Sequence, residues 1–119
     1  MSYIYGFEKL QVWQDARALV KNVYTVTEQL PGTEKYGLTN QMRRAAVSVV
    51  SNIAEGSGRT SPKDQAHFYQ IAFSSIIELL NQLILANDLA FIQHDDLLQL
   101  RTSIEMISNK LNALRKSRL

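Results

Sequence analysis

The stretch Gln41–Arg59, "QMRRAAVSVVSNIAEGSGR", decides how the rest of the chain is read. Arg43 and Arg44 stand side by side, ten residues from Ala45 to Ala54 then pass without a charge, and Glu55 and a glycine-flanked break follow. Leu38, Met42, Ala45, Val49 and Ile53 recur at helical spacing and make one core-facing stripe. Ala46, Val47, Val50 and Ala54 fall on other faces, and only Ser48, Ser51 and Asn52 supply polarity there. A helix that is apolar nearly all round is covered nearly all round. In a bundle of four roughly equivalent helices none has a privileged centre. A second protomer is therefore expected to cover the surplus, which makes the chain a homo-oligomer with Ala46, Val47, Val50 and Ala54 at the interface.

The flanking sequence repeats the helical signal. Pro31-Gly32 closes a first segment, in which Leu10, Trp13, Val20, Tyr24 and Thr27 share a face. Gly56-Ser57-Gly58 closes the second. Ser61-Pro62-Lys63-Asp64 opens a third, with serine as N-cap, proline at the first helical position and an acid where a capping box needs one. Tyr69, Ala72, Ile76, Leu80, Leu83 and Ala90 give it a face, while Phe68, Ile71, Leu85 and Leu89 lie off that stripe and extend the case for an interface. The "QHDD" of Gln93 to Asp96 opens a fourth, with acids in the first turn where the helix dipole favours them. Its stripe is Leu97, Leu100, Ile104, Ile107, Leu111 and Leu114. No segment alternates with the period of a strand. The spacing predicts helices over about 8–30, 36–56, 62–91 and 95–116, joined by loops short enough to make neighbours antiparallel. The expected architecture is a single all-α domain over residues 1–119, an up-down-up-down four-helix bundle.

Composition removes several classes of function. With no cysteine, there is no disulfide, thiolate metal site or thiol nucleophile. His67 and His94 open different helices, and no Glu-x-x-His pair exists for a metal site in a bundle core. "GSGR" at Gly56 to Arg59 lacks the strand, lysine and spacing of a phosphate loop. No serine sits in a nucleophile motif, and Asp95-Asp96 read as dipole partners. No enzyme activity, cofactor or metal is expected. "MSYIYGFEKL" has no basic and apolar signal-peptide pattern, and no apolar run approaches the roughly 20 residues of a membrane span, so a cytoplasmic location is expected.

The arginine pair is the remaining puzzle. Neighbours on a helix point about 100° apart, so Arg43 and Arg44 serve different partners. One is expected to pair with Glu55 or Glu78 and fix register, leaving the other to solvent or a ligand.

The blocks "EKLQVWQDARAL", "VYTVTEQLP", "YGLTNQMRRAAVSVVSNIAEGSGR" and "FYQIAFSSIIELLNQLILA" resemble the four helix bundle proteins of bacteria, also called 23S ribosomal RNA intervening-sequence proteins. Tyr36-Gly37-Leu38, Gln41, Arg43-Arg44-Ala45 and Asn52 to Gly56 carry the likeness. Val50 stands where relatives commonly have proline, and Ser74 where they have glycine. The resemblance implies a left-handed antiparallel bundle, a ring-like homopentamer, no enzyme activity, and binding to RNA or other nucleic acid as the usual proposal.

A nucleic-acid reading fits the cations. Arg59 and Lys63 flank the break between the second and third helices, Arg115 and Lys116 belong to the basic tail "LRKSRL", and Arg43 or Arg44 is left over. A ring repeats each modest patch, so weak phosphate contacts add. Aromatic platforms are not evident, because Trp13, Tyr24, Phe68, Tyr69 and Phe73 fall at or near stripe positions expected in the core. The rival reading is a protein-interaction scaffold or adaptor, such as an accessory subunit of a nucleic-acid enzyme, with no direct nucleic-acid contact.

Overall fold

In the computed structural model, which describes residues 2–119, four helices follow one another around a common core. They are α1 (Gln11–Thr27), α2 (Leu38–Ser57), α3 (Pro62–Asp88) and α4 (His94–Lys116), and each packs on the next, with α1 also on α4. The molecule measures 43 × 35 × 23 Å, so α3 runs nearly its full length. Short 3-10 turns at Gly6–Lys9 and Gly32–Glu34 precede α1 and α2.

The helix boundaries follow from local chemistry. The Ser61 Oγ accepts from the Asp64 N–H at 3.1 Å and Pro62 begins α3, as the sequence predicts. The start of α2 uses a device the sequence reading did not anticipate. Gly37 occupies the N-cap position, and Glu34 caps from outside, its Oε1 accepting from the Leu38 N–H at 3.1 Å. The expected helix over 62–91 stops at Asp88 because Ala90 turns left-handed, at φ 60°. The Phe91 N–H then returns to the Ala86 carbonyl and the Ala90 N–H to that of Asn87, the pair of bonds that closes a Schellman end. Ala90 is accordingly exposed, not on the core face assigned from its spacing. Asp96, in the first turn of α4, accepts from the Gln29 amide at 2.8 Å and ties α4 to the end of α1. Nearer the opposite end, Lys110 Nζ in the last turns of α4 meets Asp15 Oδ2 in the first turns of α1 at 2.6 Å.

The core contains Leu19, Val23, Met42, Val49, Ile53, Ile76, Leu79, Leu83, Ile104, Ile107 and Leu111, all with almost no exposure. Two corrections concern α2. Ala46 is 0% exposed inside this chain's own bundle, so it has no surface to offer a second subunit. Val50, which packs on the core, and Ala54 both keep part of their surface exposed. The expected dry helix does have a wet face: Asn40, Arg44, Val47, Ser51 and Glu55 all lie exposed, one helical turn apart. The uncharged run is long because α2 lies between α1 and α3 and buries two adjacent lines, one through Ala45, Val49 and Ile53 and one through Ala46. Of the interface positions expected on α2, Val47 is the outward one, at 40% exposure.

The seam between α2 and α3 is close and partly polar. Ser48 and Ser75 join hydroxyl to hydroxyl at 2.8 Å, and the Asn52 amide donates to the Ser48 carbonyl at 2.8 Å and to its hydroxyl at 3.1 Å. One turn further, a Cβ added at Gly56 would lie 2.8 Å from the Tyr69 ring and 3.0 Å from the Phe68 Cβ. Gly56 is thus there to let α3 approach. By length and a mean hydropathy of 1.3 over its best window, α3 is apolar enough to cross a membrane, where the sequence reading saw no such run. Its packing accounts for much of that hydropathy: Ala72, Ile76, Leu79, Leu83 and Ala86 are fully buried against the other helices.

Candidate nucleic-acid interface

The six basic residues singled out in the sequence separate into two groups, one at each end of the bundle. Because α2 and α4 run in the same direction, both antiparallel to α3, the C-terminus of α4 lies at the same end as the α2–α3 break. This puts Arg59 and Lys63 at the same end of the bundle as Arg115 and Lys116, half the sequence away. The link between them is a single side chain. Gln65 donates its amide to the Arg59 carbonyl at 2.9 Å and accepts from Arg118 Nε at 2.7 Å. Arg118, not among the six, is therefore the residue that stitches the tail to the loop.

Within this group the charges are not equally available. Lys63 and Lys116 are exposed and make no ion pair among the described residues. Arg59 lies 3.7 Å from Glu55, one helical turn back, and its guanidinium carbon sits 4.4 Å above the Phe68 ring. An exposed pair of that length holds its charge only weakly, so Arg59 remains open to a phosphate. Arg115 is half-buried, donates to Asn112 Oδ1 at 3.3 Å and has a buried Nε with no partner, which makes it the member most committed to the fold. Tyr69, fully covered beneath this surface, has its hydroxyl pKa raised by burial, and nearby Arg118 offsets part of that rise.

At the opposite end, Arg43 and Arg44 take different parts. Arg43 is the structural one, but its partners are not the expected carboxylates. Its Nε donates to Thr27 Oγ1 at 2.9 Å, its Nη2 to the Tyr24 carbonyl at 3.3 Å, and its guanidinium lies 4.5 Å over the Tyr24 ring. It clamps the last turn of α1 onto α2. Glu55 is engaged by Arg59 and Glu78 by the Gln82 amide at 3.2 Å. Arg44 is exposed and makes neither a hydrogen bond nor an ion pair among the described residues, although it lines a shallow polar groove with Glu78.

Two aromatic residues at this end escaped the sequence reading. Tyr24 is not in the core but exposed beneath Arg43, and Tyr36 stands 86% exposed with Lys35 Nζ 5.4 Å over its ring. Both line an open groove of about 570 Å³ together with Lys35, Asn40, Arg43 and Arg44. The available signal was Tyr36 in the turn beside Lys35, in front of the glycine that starts α2. Helical spacing says nothing about a residue outside a helix.

No group of three or more His, Asp or Glu side chains among the described residues is placed to hold a metal ion. What the two surfaces can do chemically is bind anions.

Residues 8–113 match the model of the 23S rRNA-intervening sequence protein family, so the chain belongs to that family. In fold the chain is similar to a crystal structure of a protein of unknown function from the S23 ribosomal protein family of Bacteroides thetaiotaomicron. The TM-score is 0.82, with 18% identity over 88% of this chain and 98% of that one. No curated protein matches the chain.

Proposed function

We propose that this family member is a non-enzymatic, cytoplasmic nucleic-acid-binding protein that takes RNA on a homo-oligomer. The observation that carries the reading is the Gln65 bridge. It holds the α2–α3 junction and the C-terminal tail in one surface, so that Arg59, Lys63, Lys116 and Arg118 present their charges together. Contacts of this kind go to phosphates, carry little sequence information and weaken steeply with salt.

Self-association supports the reading by multiplying the patch. Val47 on α2, Ile77 and Leu85 on α3, and Leu89 just past its end are large apolar side chains exposed on the surface. The homopentamer implied by the family resemblance would give each such patch a repeat around a ring, where modest contacts sum. The same apolar positions favour the second reading, a protein-interaction scaffold, if their partner is a different chain.

Light scattering coupled to size exclusion tests both, on protein stripped of nucleic acid by nuclease and high salt. The reading predicts a multimer that gains RNA mass at low salt, and a variant carrying Arg59→Glu, Lys63→Glu and Lys116→Glu that keeps its mass but gains none. A multimer that takes no RNA under any salt moves the function to the scaffold. RNA uptake that survives the triple reversal refutes the basic surface.

A further inference from the structure

The opposite end of the bundle has a different chemistry, and the nucleic-acid reading does not use it. The groove of about 570 Å³ between the last turn of α1 and the start of α2 falls within the usual volume of small-ligand sites. Its charge is all of one sign: Lys35, Arg43 and Arg44 line it, and no aspartate or glutamate does. The nearby acid, Glu34, has its carboxylate on the Leu38 N–H. Arg43 is held in place by Thr27 and Tyr24, which use two of its five N–H donors and leave the others. A fixed guanidinium loses little freedom when it meets an anion.

The groove also offers aromatic faces. Tyr36 is 86% exposed, an extreme for so large a ring, and it protrudes from the turn ahead of α2, where Glu34 caps the Leu38 N–H. Beside it, the Asn40 amide is exposed and makes no hydrogen bond among the described residues. An aromatic ring, an amide with free donors and acceptor, and unpaired cations together are what recognises a planar heterocycle attached to a phosphate.

We infer that this groove is a second site, one that binds an unpaired nucleotide of a single strand. Tyr36 supplies the stacking face, Asn40 bonds the base edge, and Arg44 and Lys35 take the flanking phosphates. A duplex hides its base faces within its own stack, so it cannot use the ring. The basic surface at the far end, by contrast, is indifferent to strandedness. The inference rests on the nucleic-acid reading but assigns it a second contact with its own preference.

Fluorescence anisotropy separates the two. The probes are a short single-stranded RNA and a blunt RNA duplex of the same sequence. The proteins are the full-length wild type, Tyr36→Ala, Tyr36→Phe, Arg44→Glu and the Arg59/Lys63/Lys116 triple reversal. Loss of one stacked base lowers affinity by about fivefold to a hundredfold. Tyr36→Ala should therefore weaken single-strand binding by about tenfold and leave duplex binding unchanged, while Tyr36→Phe, which keeps the ring, retains both. Arg44→Glu should follow Tyr36→Ala on the single strand. The triple reversal should weaken both probes. Equal effects of Tyr36→Ala on the two probes, or none on the single strand, overturn the second site and leave the far-end surface standing. If the triple reversal changes neither probe while Tyr36→Ala still weakens the single strand, the far-end surface falls and the groove stands. A wild type that binds neither RNA but takes a phosphotyrosyl peptide overturns both.

Discussion

Replacing Gly56 by alanine should destabilise the protein, although the same change in an exposed helix would stabilise it. Gly56 lies in the last turns of α2, where glycine costs roughly 1 kcal/mol relative to alanine. Against that gain stands the α2–α3 contact. The new methyl would sit 2.8 Å from one Tyr69 ring carbon, 3.0 Å from another and 3.0 Å from the Phe68 Cβ. Neither neighbour can swing aside. The Tyr69 ring is 2% exposed and enclosed by its surroundings, and the Phe68 Cβ moves only with the backbone of α3. Forcing a methyl into such a contact costs about 1–3 kcal/mol, so the net loss is about 1 kcal/mol, with a melting temperature lower by about 4 °C. Gly58 is the internal control. It sits just past the helix at φ −85°, and a Cβ there would meet only the Glu55 and Ala54 carbonyls at 3.6 and 3.8 Å. Gly58→Ala should be neutral or raise stability by a few tenths of a kcal/mol through the unfolded state. Urea unfolding followed by circular dichroism at one fixed protomer concentration compares them. A Gly56→Ala midpoint at or above that of Gly58→Ala would refute the close-approach argument.

Three further outcomes follow from the geometry. Ala90→Gly should stabilise by about 0.5–1 kcal/mol, since alanine sits left-handed at the end of α3 where glycine carries no penalty, and a higher urea midpoint checks it. Arg43→Ala should cost about 1–2 kcal/mol by removing two hydrogen bonds and the Tyr24 stack, whereas Arg44→Ala should stay within about 0.5 kcal/mol, a split read from paired melts. Burial raises the Tyr69 pKa above its ordinary 10.0, so the folded state keeps the phenol neutral while the unfolded state ionises it. That contribution is fully present below about pH 10 and is lost as pH rises from there through the folded-state value. Stability measured against pH should fall less steeply above pH 10 in Tyr69→Phe than in the wild type.

The helices are legible in the sequence because each has its own apolar period and the breaks between them carry proline, glycine or paired acids. The sequence reading missed the end of α3, since Ala90 takes a conformation that residue type does not announce. It overestimated the dryness of α2. Ala46 and Val50 look surplus when one core stripe is assumed, yet a helix between two neighbours buries a stripe wide enough to take both. Of the candidate interface, the grouping of Arg59, Lys63, Arg115 and Lys116 was legible from topology, because short loops put the end of the fourth helix beside the start of the third. Gln65 was not legible, for nothing marks a glutamine as the bridge between a tail and a loop. One arginine of the pair was expected to find a carboxylate, with nothing to say which; the structural one is Arg43, and it takes a threonine hydroxyl, a helix-end carbonyl and a tyrosine ring. These partners become close only when α1 and α2 are packed. That same packing turns Tyr24 outward and opens the groove with Tyr36.

The most direct test is the salt dependence of RNA affinity, wild type against the Arg59→Glu, Lys63→Glu, Lys116→Glu variant. Each phosphate neutralised on a single strand contributes about 0.7 to the slope of log affinity against log salt. Loss of three cations should therefore flatten the slope by about two per bound protomer. A flattened slope with the multimer intact is the predicted result. Parallel salt lines for the two proteins would contradict it and show that the surface joined by Gln65 does not meet phosphate.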